Sequence, residues 1–252
     1  DSVDGPAGPI SPVRNRILLL GVLVGLAVPG VVFLMILFLD TRVHSRKDLK
    51  GAVSIPFLGE IPQDKKTAKT NVAADQEDSM LSESFRILRT NLLFMLGDPD
   101  KKVILVTSTM SGEGKTFIAS NLAVSLALLG KKVIIVGLDI RKSGLNKVFR
   151  IHHKEKGITG FLSAPQSTDL RSMILTSEVS DNLHVLPGGA IPPNPTELLA
   201  RKSLDDAIEL LKKDYDYIVL DTAPIGMVTD TQLIARVADI SVYVCRADYT
   251  HK

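Results

Sequence analysis

The residues best placed to do chemistry are Thr109-Met110-Ser111-Gly112-Glu113-Gly114-Lys115-Thr116, between an apolar run and a helix-forming one. Consecutive main-chain N–H groups ahead of a helix converge on one point and bind anionic oxygens. Gly112 and Gly114 allow that approach because they carry no Cβ. Lys115 is placed to reach outer phosphates, and the Thr116 hydroxyl to meet Mg²⁺. The expected nucleotide-contacting set is therefore Ser111, Gly112, Glu113, Gly114, Lys115, Thr116 and Phe117. Thr109 stands where such loops usually open with glycine, a position remote from the closest phosphate contact.

Two carboxylates complete the chemistry. Asp139 lies in Ile135-Val136-Gly137-Leu138-Asp139-Ile140-Arg141, at the end of the next apolar run. Asp221 ends Tyr217-Ile218-Val219-Leu220 and is followed by Thr222-Ala223-Pro224. The C-terminal ends of parallel strands line the ligand crevice of such sheets. An aspartate there is suited to holding Mg²⁺, directly or through water, and Asp139 is also suited to orienting an attacking hydroxyl. The expected metal set is thus Thr116, Asp139 and Asp221, and the expected catalytic set Lys115, Asp139 and Asp221. A third constellation, Glu83-x-x-Arg86-x-x-Arg89, lines its charges along one helical stripe. From spacing alone, that stripe reads as a solvated, self-pairing face.

These residues need a scaffold. From 102 onward, apolar strands (103–107, 133–136, 182–186, 217–220, 240–245) alternate with helices (115–129, ended by Gly130, and 194–211, opened by Asn194 and Pro195). Continuous apolar strands separated by helices predict an α/β fold, a mostly parallel sheet of P-loop NTPase type with helices on both faces. A preceding helix over 79–96 has Phe85, Leu88, Leu92 and Met95 at core-facing spacing.

Ahead of this lies a different region. Residues 17–39 contain no charge, and 23 residues in a helix span roughly 34 Å, enough for a bilayer core. One transmembrane helix is expected, with Pro29-Gly30 kinking it. Arg42, Arg46, Lys47 and Lys50 after the span outnumber Arg14 and Arg16 before it, which places the C-terminal side in the cytoplasm. The expected organisation is an extracytoplasmic Pro/Gly-rich stub (1–16), a transmembrane helix (17–39), a cytoplasmic connector with little core of its own (40–78) and a P-loop domain (79–252). The formal net charge of +2 gives no basic field for nucleic acid. A single cysteine, Cys245, excludes an internal disulfide and reads as a small core residue.

Together the motifs resemble the bacterial tyrosine kinases of capsule and exopolysaccharide export, the polysaccharide co-polymerase autokinases. That family carries a phosphate loop, a second aspartate motif, and a strand ending in Asp-Ser/Thr-Pro. Lys115, Asp139 and Asp221 stand in the matching places. Pro192-Pro193-Asn194-Pro195-Thr196-Glu197-Leu198-Leu199 and the Pro-rich stub also match. The resemblance implies ATP and Mg²⁺ as cofactors and transfer of phosphate to a tyrosine tail of a neighbouring subunit. It implies a ring-like homo-oligomer joined through Glu83, Arg86 and Arg89, and control of polysaccharide chain length and export. It further implies a bacterial inner-membrane location with a cytoplasmic kinase domain, a cognate tyrosine phosphatase, and export machinery as partners.

Three departures are visible. Gly137 replaces the first aspartate of the family's Asp-x-Asp pair, Ala223 replaces a proline, and the terminal tyrosine cluster is absent. The chain therefore reads as a piece of a longer protein, with its acceptor tail beyond Lys252. Two rivals fit the same aspartates: a partitioning-type ATPase switch and a non-catalytic nucleotide-binding regulator of chain length. The switch proteins usually carry an extra lysine where Met110 stands here, and the membrane helix also favours the kinase. Gly137 keeps the non-catalytic reading open.

Overall fold

The computed structural model describes residues 14–52, 54–63, 79–152 and 155–251. Most of the expected stub and the polar half of the connector lie outside these residues.

Helix α1 (Arg14–Leu39) contains the expected span and is helical through Pro29. Its segment Asn15–Ile36 is long and apolar enough to cross a membrane, with a mean hydropathy of 2.8, and none of it is buried against the protein. A short helix α2 (Arg46–Ala52) follows. The described part of the connector packs onto the domain that follows. Val43 is buried, Leu58 and Ile61 pack on the core, and the Asn91 amide donates to the Leu58 carbonyl at 2.8 Å. Val43 also exchanges main-chain hydrogen bonds with Asp248 and Thr250, at 2.9 Å each.

Helix α3 (Met80–Leu96) begins where Ser79 accepts the Ser82 N–H and ends at Gly97, whose φ of 60° stops the helix. Then come β1 (Val103–Ser108), α4 (Lys115–Ala127), β2 (Val133–Gly137), α5 (Leu145–Val148) and α6 (Ile158–Ser163). They are followed by β3 (Leu175–Ser177), β4 (Ser180–Leu186), α7 (Pro195–Ala200), α8 (Lys202–Asp214), β5 (Tyr217–Asp221), α9 (Asp230–Ile234) and β6 (Ile240–Val244). The sheet order is β3-β4-β2-β5-β1-β6, and every pairing is parallel except β3 with β4.

Side chains alternate across a strand, so each buried strand feeds two cores. Ile104, Val106, Val133, Ile135 and Val219 face α3 and α4. Val103, Leu105, Ile134, Val136 and Leu220 face α6, α7 and α8. Leu204, Ala207, Ile208 and Leu211 form the buried stripe of α8, at helical spacing.

Two features differ from the sequence expectation. The helix expected over 194–211 is two helices, broken at Arg201, whose ψ is 151°. Arg236 donates from Nη2 to the Leu199 and Arg201 carbonyls, both at 3.0 Å, and so satisfies acceptors that the break releases. Nothing in Ala200-Arg201-Lys202 discourages a helix, so the break is a tertiary effect. The second difference is β3, a short antiparallel edge strand with two exposed residues and no apolar run to announce it.

Candidate nucleotide site

The loop after β1 turns twice through glycine, Gly112 at φ 92° and Gly114 at φ 97°, conformations that L side chains rarely adopt. Gly114 directly precedes α4, so the free N–H groups of its first turn open onto the loop. No acidic side chain occupies that turn, leaving the positive end of the helix available.

The two carboxylates arrive on neighbouring strands. Strands β2 and β5 pair in parallel with Gly137 opposite Asp221. The Leu138 and Asp139 N–H groups both donate to the Asp221 carbonyl, at 2.8 and 3.0 Å, fastening the Asp139 loop to the tip of β5. Asp139 reaches the Lys115 ammonium at 3.3 Å, with both side chains about one-tenth exposed. Its other oxygen accepts the Lys142 N–H at 3.1 Å. The Thr116 hydroxyl donates to Asp221 at 2.9 Å. Phosphate loop, lysine, hydroxyl and both aspartates are therefore one cluster.

Asp221 is 1% exposed. Burial pushes its pKa up to about 7, and the Asp139 charge adds to the shift, while Lys115 and the Thr116 hydroxyl oppose it. A carboxylate buried with so little compensation suits a site completed by a cation. The chain thus fits a triphosphate with its divalent metal: main-chain N–H groups and Lys115 for phosphate oxygens, Thr116, Asp221 and Asp139 for the metal and its waters.

Two residues of the expected contact set use their side chains elsewhere. Glu113 is buried, accepts the Met110 N–H at 2.6 Å and accepts the Thr250 hydroxyl, so its carboxylate latches the loop. The Phe117 ring packs edge-on against Phe85, 5.9 Å between centroids. Only the main chain of these two residues is left for the phosphate contact expected of them.

The Glu83 stripe divides. Glu83 and Arg86 are exposed and pair with each other at 3.3 Å. Arg89 turns inward and donates to the Ser125 carbonyl at 2.7 Å, near the C-terminal end of α4. Gly137 stands in a tight place: a Cβ there would lie 3.0 Å from the Gly188 nitrogen and 3.2 Å from Leu145.

Sequence reasoning gave no role to several residues around the site. Asp230 accepts from Arg141 at 2.7 Å and from Thr196 at 2.7 Å, tying the Asp139 loop to α7 and α9. An open cleft of about 400 Å³ beside it is lined by Arg141, Ile225, Met227, Thr229 and Gln232. Gly144 lies against Thr116, where a Cβ would come within 2.8 Å of the hydroxyl. Arg141 and Thr196 belonged to recognisable motifs, but their shared partner is 89 and 34 residues away, respectively.

Comparison with known proteins agrees with this geometry. Residues 101–249 match the AAA domain family. The chain is 38% identical over 165 residues to the tyrosine-protein kinase CpsD of Streptococcus agalactiae, covering 66% of this chain and 70% of that protein. It is 36% identical over 181 residues to the tyrosine-protein kinase YwqD of Bacillus subtilis, covering 72% and 75%. The solved BceF tyrosine kinase domain superposes with a TM-score of 0.74 at 30% identity, over 84% of this chain and 89% of that one. With the family match over residues 101–249 and the kinase relatives matched over most of both chains, the protein belongs to the AAA domain family and to the bacterial tyrosine kinases.

Proposed function

We infer that the chain is the membrane-linked kinase part of an ATP-dependent protein-tyrosine autokinase acting in capsule or exopolysaccharide synthesis. One observation carries the reading: Lys115 with Asp139, and Thr116 with Asp221, meet on adjacent strand tips beneath the phosphate loop. ATP with Mg²⁺ supplies the phosphoryl group and the charge neutralisation that its transfer requires. The N–H groups of 111–117 orient the phosphates. Lys115, which pairs with Asp139 here, would hold an outer phosphate oxygen when the nucleotide is bound. Asp221 and Thr116 hold the metal position, and Asp139 orients metal water or the acceptor hydroxyl. Such a site works by positioning and charge more than by covalent chemistry.

The acceptor is a tyrosine of a neighbouring subunit. Tyr215 is buried, and both Tyr243 and Tyr249 hydrogen-bond to the phosphate loop through their hydroxyls. The exposed Glu83–Arg86 pair would form the ring contact, and Arg89 would contribute by holding α3 to α4. Added phosphates would place like charges together around the ring and favour its dissociation. A cognate phosphatase would reverse this, and the cycle would set chain length and export. The apolar helix α1 anchors the domain at the inner membrane, on its cytoplasmic side.

The test is Lys115→Ala in the full-length protein, read by anti-phosphotyrosine blot. Loss of signal with unchanged expression is expected. Persistent labelling would refute the site.

A further inference from the structure

The phosphate loop is held from outside by one turn of chain far away in sequence. After β6, residues 246–250 close a tight turn in which the Thr250 N–H donates to the Arg246 carbonyl at 2.9 Å. The Arg246 N–H returns a 2.8 Å bond to the Thr250 hydroxyl. Three side chains of this turn meet the loop. The Tyr249 hydroxyl donates to the Ser111 carbonyl at 2.9 Å, and Arg246 donates from Nη1 to the Gly112 carbonyl at 2.9 Å. The Thr250 hydroxyl donates to Glu113, whose other oxygen holds the Met110 N–H. The Arg246 guanidinium also lies 5.3 Å from the centre of the Tyr249 ring, so the two donors support each other.

The geometry points to Arg246 and Tyr249 as positioning residues that orient the phosphate loop for ATP. The reason is the planarity of the peptide group. In a trans peptide the C=O and the following N–H point in opposite directions. Fixing the Ser111 carbonyl outward therefore turns the Gly112 N–H inward. Fixing the Gly112 carbonyl outward does the same for the Glu113 N–H. These peptide planes have more freedom to turn over than those of ordinary residues, because they flank a glycine at φ 92°. A flipped plane would present a carbonyl oxygen to phosphate and repel it. Gly112 is needed for the contact itself, since a Cβ there would sit 3.2 Å from the Tyr249 hydroxyl.

This inference rests on the reading of the loop as an ATP site, and its test separates the two. Full-length protein in detergent is assayed for MgATP dissociation constant, for KM and kcat toward ATP, and for melting temperature without nucleotide. The variants are Tyr249→Phe, Arg246→Met and Arg246→Lys. Tyr249→Phe keeps the ring and is expected to weaken MgATP by about threefold to tenfold, the range for one lost hydrogen bond. Arg246→Met removes a charge-assisted bond and is expected to cost about tenfold or more. Both should act on KM and leave kcat nearly unchanged, with the nucleotide-free melting temperature within about 2 °C of the parent. Arg246→Lys should fall between parent and Met variant. Unchanged MgATP affinity in both Tyr249→Phe and Arg246→Met overturns the inference. So does a loss that merely follows a lowered melting temperature and is not relieved by lysine. Parent protein that binds no MgATP sinks the ATP reading, and this inference with it.

Discussion

Asp221 and Asp230 stand nine positions apart in sequence, each with its side chain 1% exposed, yet their chemistry is opposite. Asp221 has one hydroxyl donor and no arginine, and burial raises its pKa to about 7. At Asp230 burial also works against the charge, but hydrogen bonds from Arg141 and Thr196, with the Arg141 charge, outweigh it and hold the pKa below the usual carboxylate range. Asp221 lies deeper and is more poorly paired than Asp230, so Asp230 is complete within the fold while Asp221 is suited to a cation from outside. Asp230 is a structural link between the Asp139 loop, α7 and α9. Asp221 carries the electrostatic cost of a buried, poorly paired carboxylate, the pattern a functional group would show.

The largest expected difference lies in activity. Asp221→Asn should lower tyrosine phosphorylation at least about 100-fold, as expected when a metal-positioning carboxylate is lost from a phosphoryl-transfer site. The same variant should raise the melting temperature of the nucleotide-free protein at pH 8, because a neutral amide replaces a buried charge. A melting temperature that fell instead would show Asp221 to be as fully compensated as Asp230.

Next is stability. Asp230→Ala leaves Arg141 and Thr196 without their shared acceptor and should cost about 2–4 kcal/mol in chemical unfolding, discounted for the part-exposed arginine. Residual phosphorylation should survive at a temperature where the variant is folded. Its complete loss there would make Asp230 part of the chemistry.

The two acids should also differ with pH. Folded Asp221 keeps its proton up to about 7, whereas an unfolded aspartate loses it near 3.8. Its contribution to stability therefore falls as pH rises from about 4 to about 7 and is level above that. The slope should vanish in Asp221→Asn and shrink when MgADP is bound. Asp230 has the opposite sign: its stabilising contribution is present above the unfolded value and lost as pH falls through its depressed folded value. Melting temperatures across pH 3 to 8 for parent and both variants would check these signs.

The smallest effect is expected from Gly144→Ala. The added methyl would press on the Thr116 side chain, and threonine can yield by rotating away from Asp221. A loss of Mg²⁺-dependent activity of about threefold to thirtyfold, with little change in melting temperature, would show that the loop over Thr116 must be bare. Unchanged Mg²⁺ dependence would show that Thr116 does not position the metal.

Much of the site was legible because its chemistry is local. The spacing of Gly112, Gly114, Lys115 and Thr116 defines a loop, and a loop of that kind needs only a strand before it and a helix after it. Asp139 and Asp221 could be read for a similar reason: each ends an unbroken apolar run, and parallel strands deliver their C-terminal ends to one edge. Glu113 was only half legible. Its main chain belongs to the loop as expected, but its carboxylate serves the remote Thr250. Arg89 was half legible in the same way: helical spacing lines it up with Glu83 and Arg86, and its guanidinium donates to the remote Ser125 carbonyl.

The sequence by itself determined the five parallel strands, the phosphate loop, both acidic strand tips and the apolar span of α1, because each depends on neighbours within a few residues. Only the tertiary structure decided the break at Arg201, the pairing of Arg141 with Asp230, and the seat of Arg246 and Tyr249 on the loop. Those outcomes join groups from 35 to 138 residues apart. A hydrogen bond forms where donor and acceptor meet in space, and local residue pattern carries no record of such distant meetings.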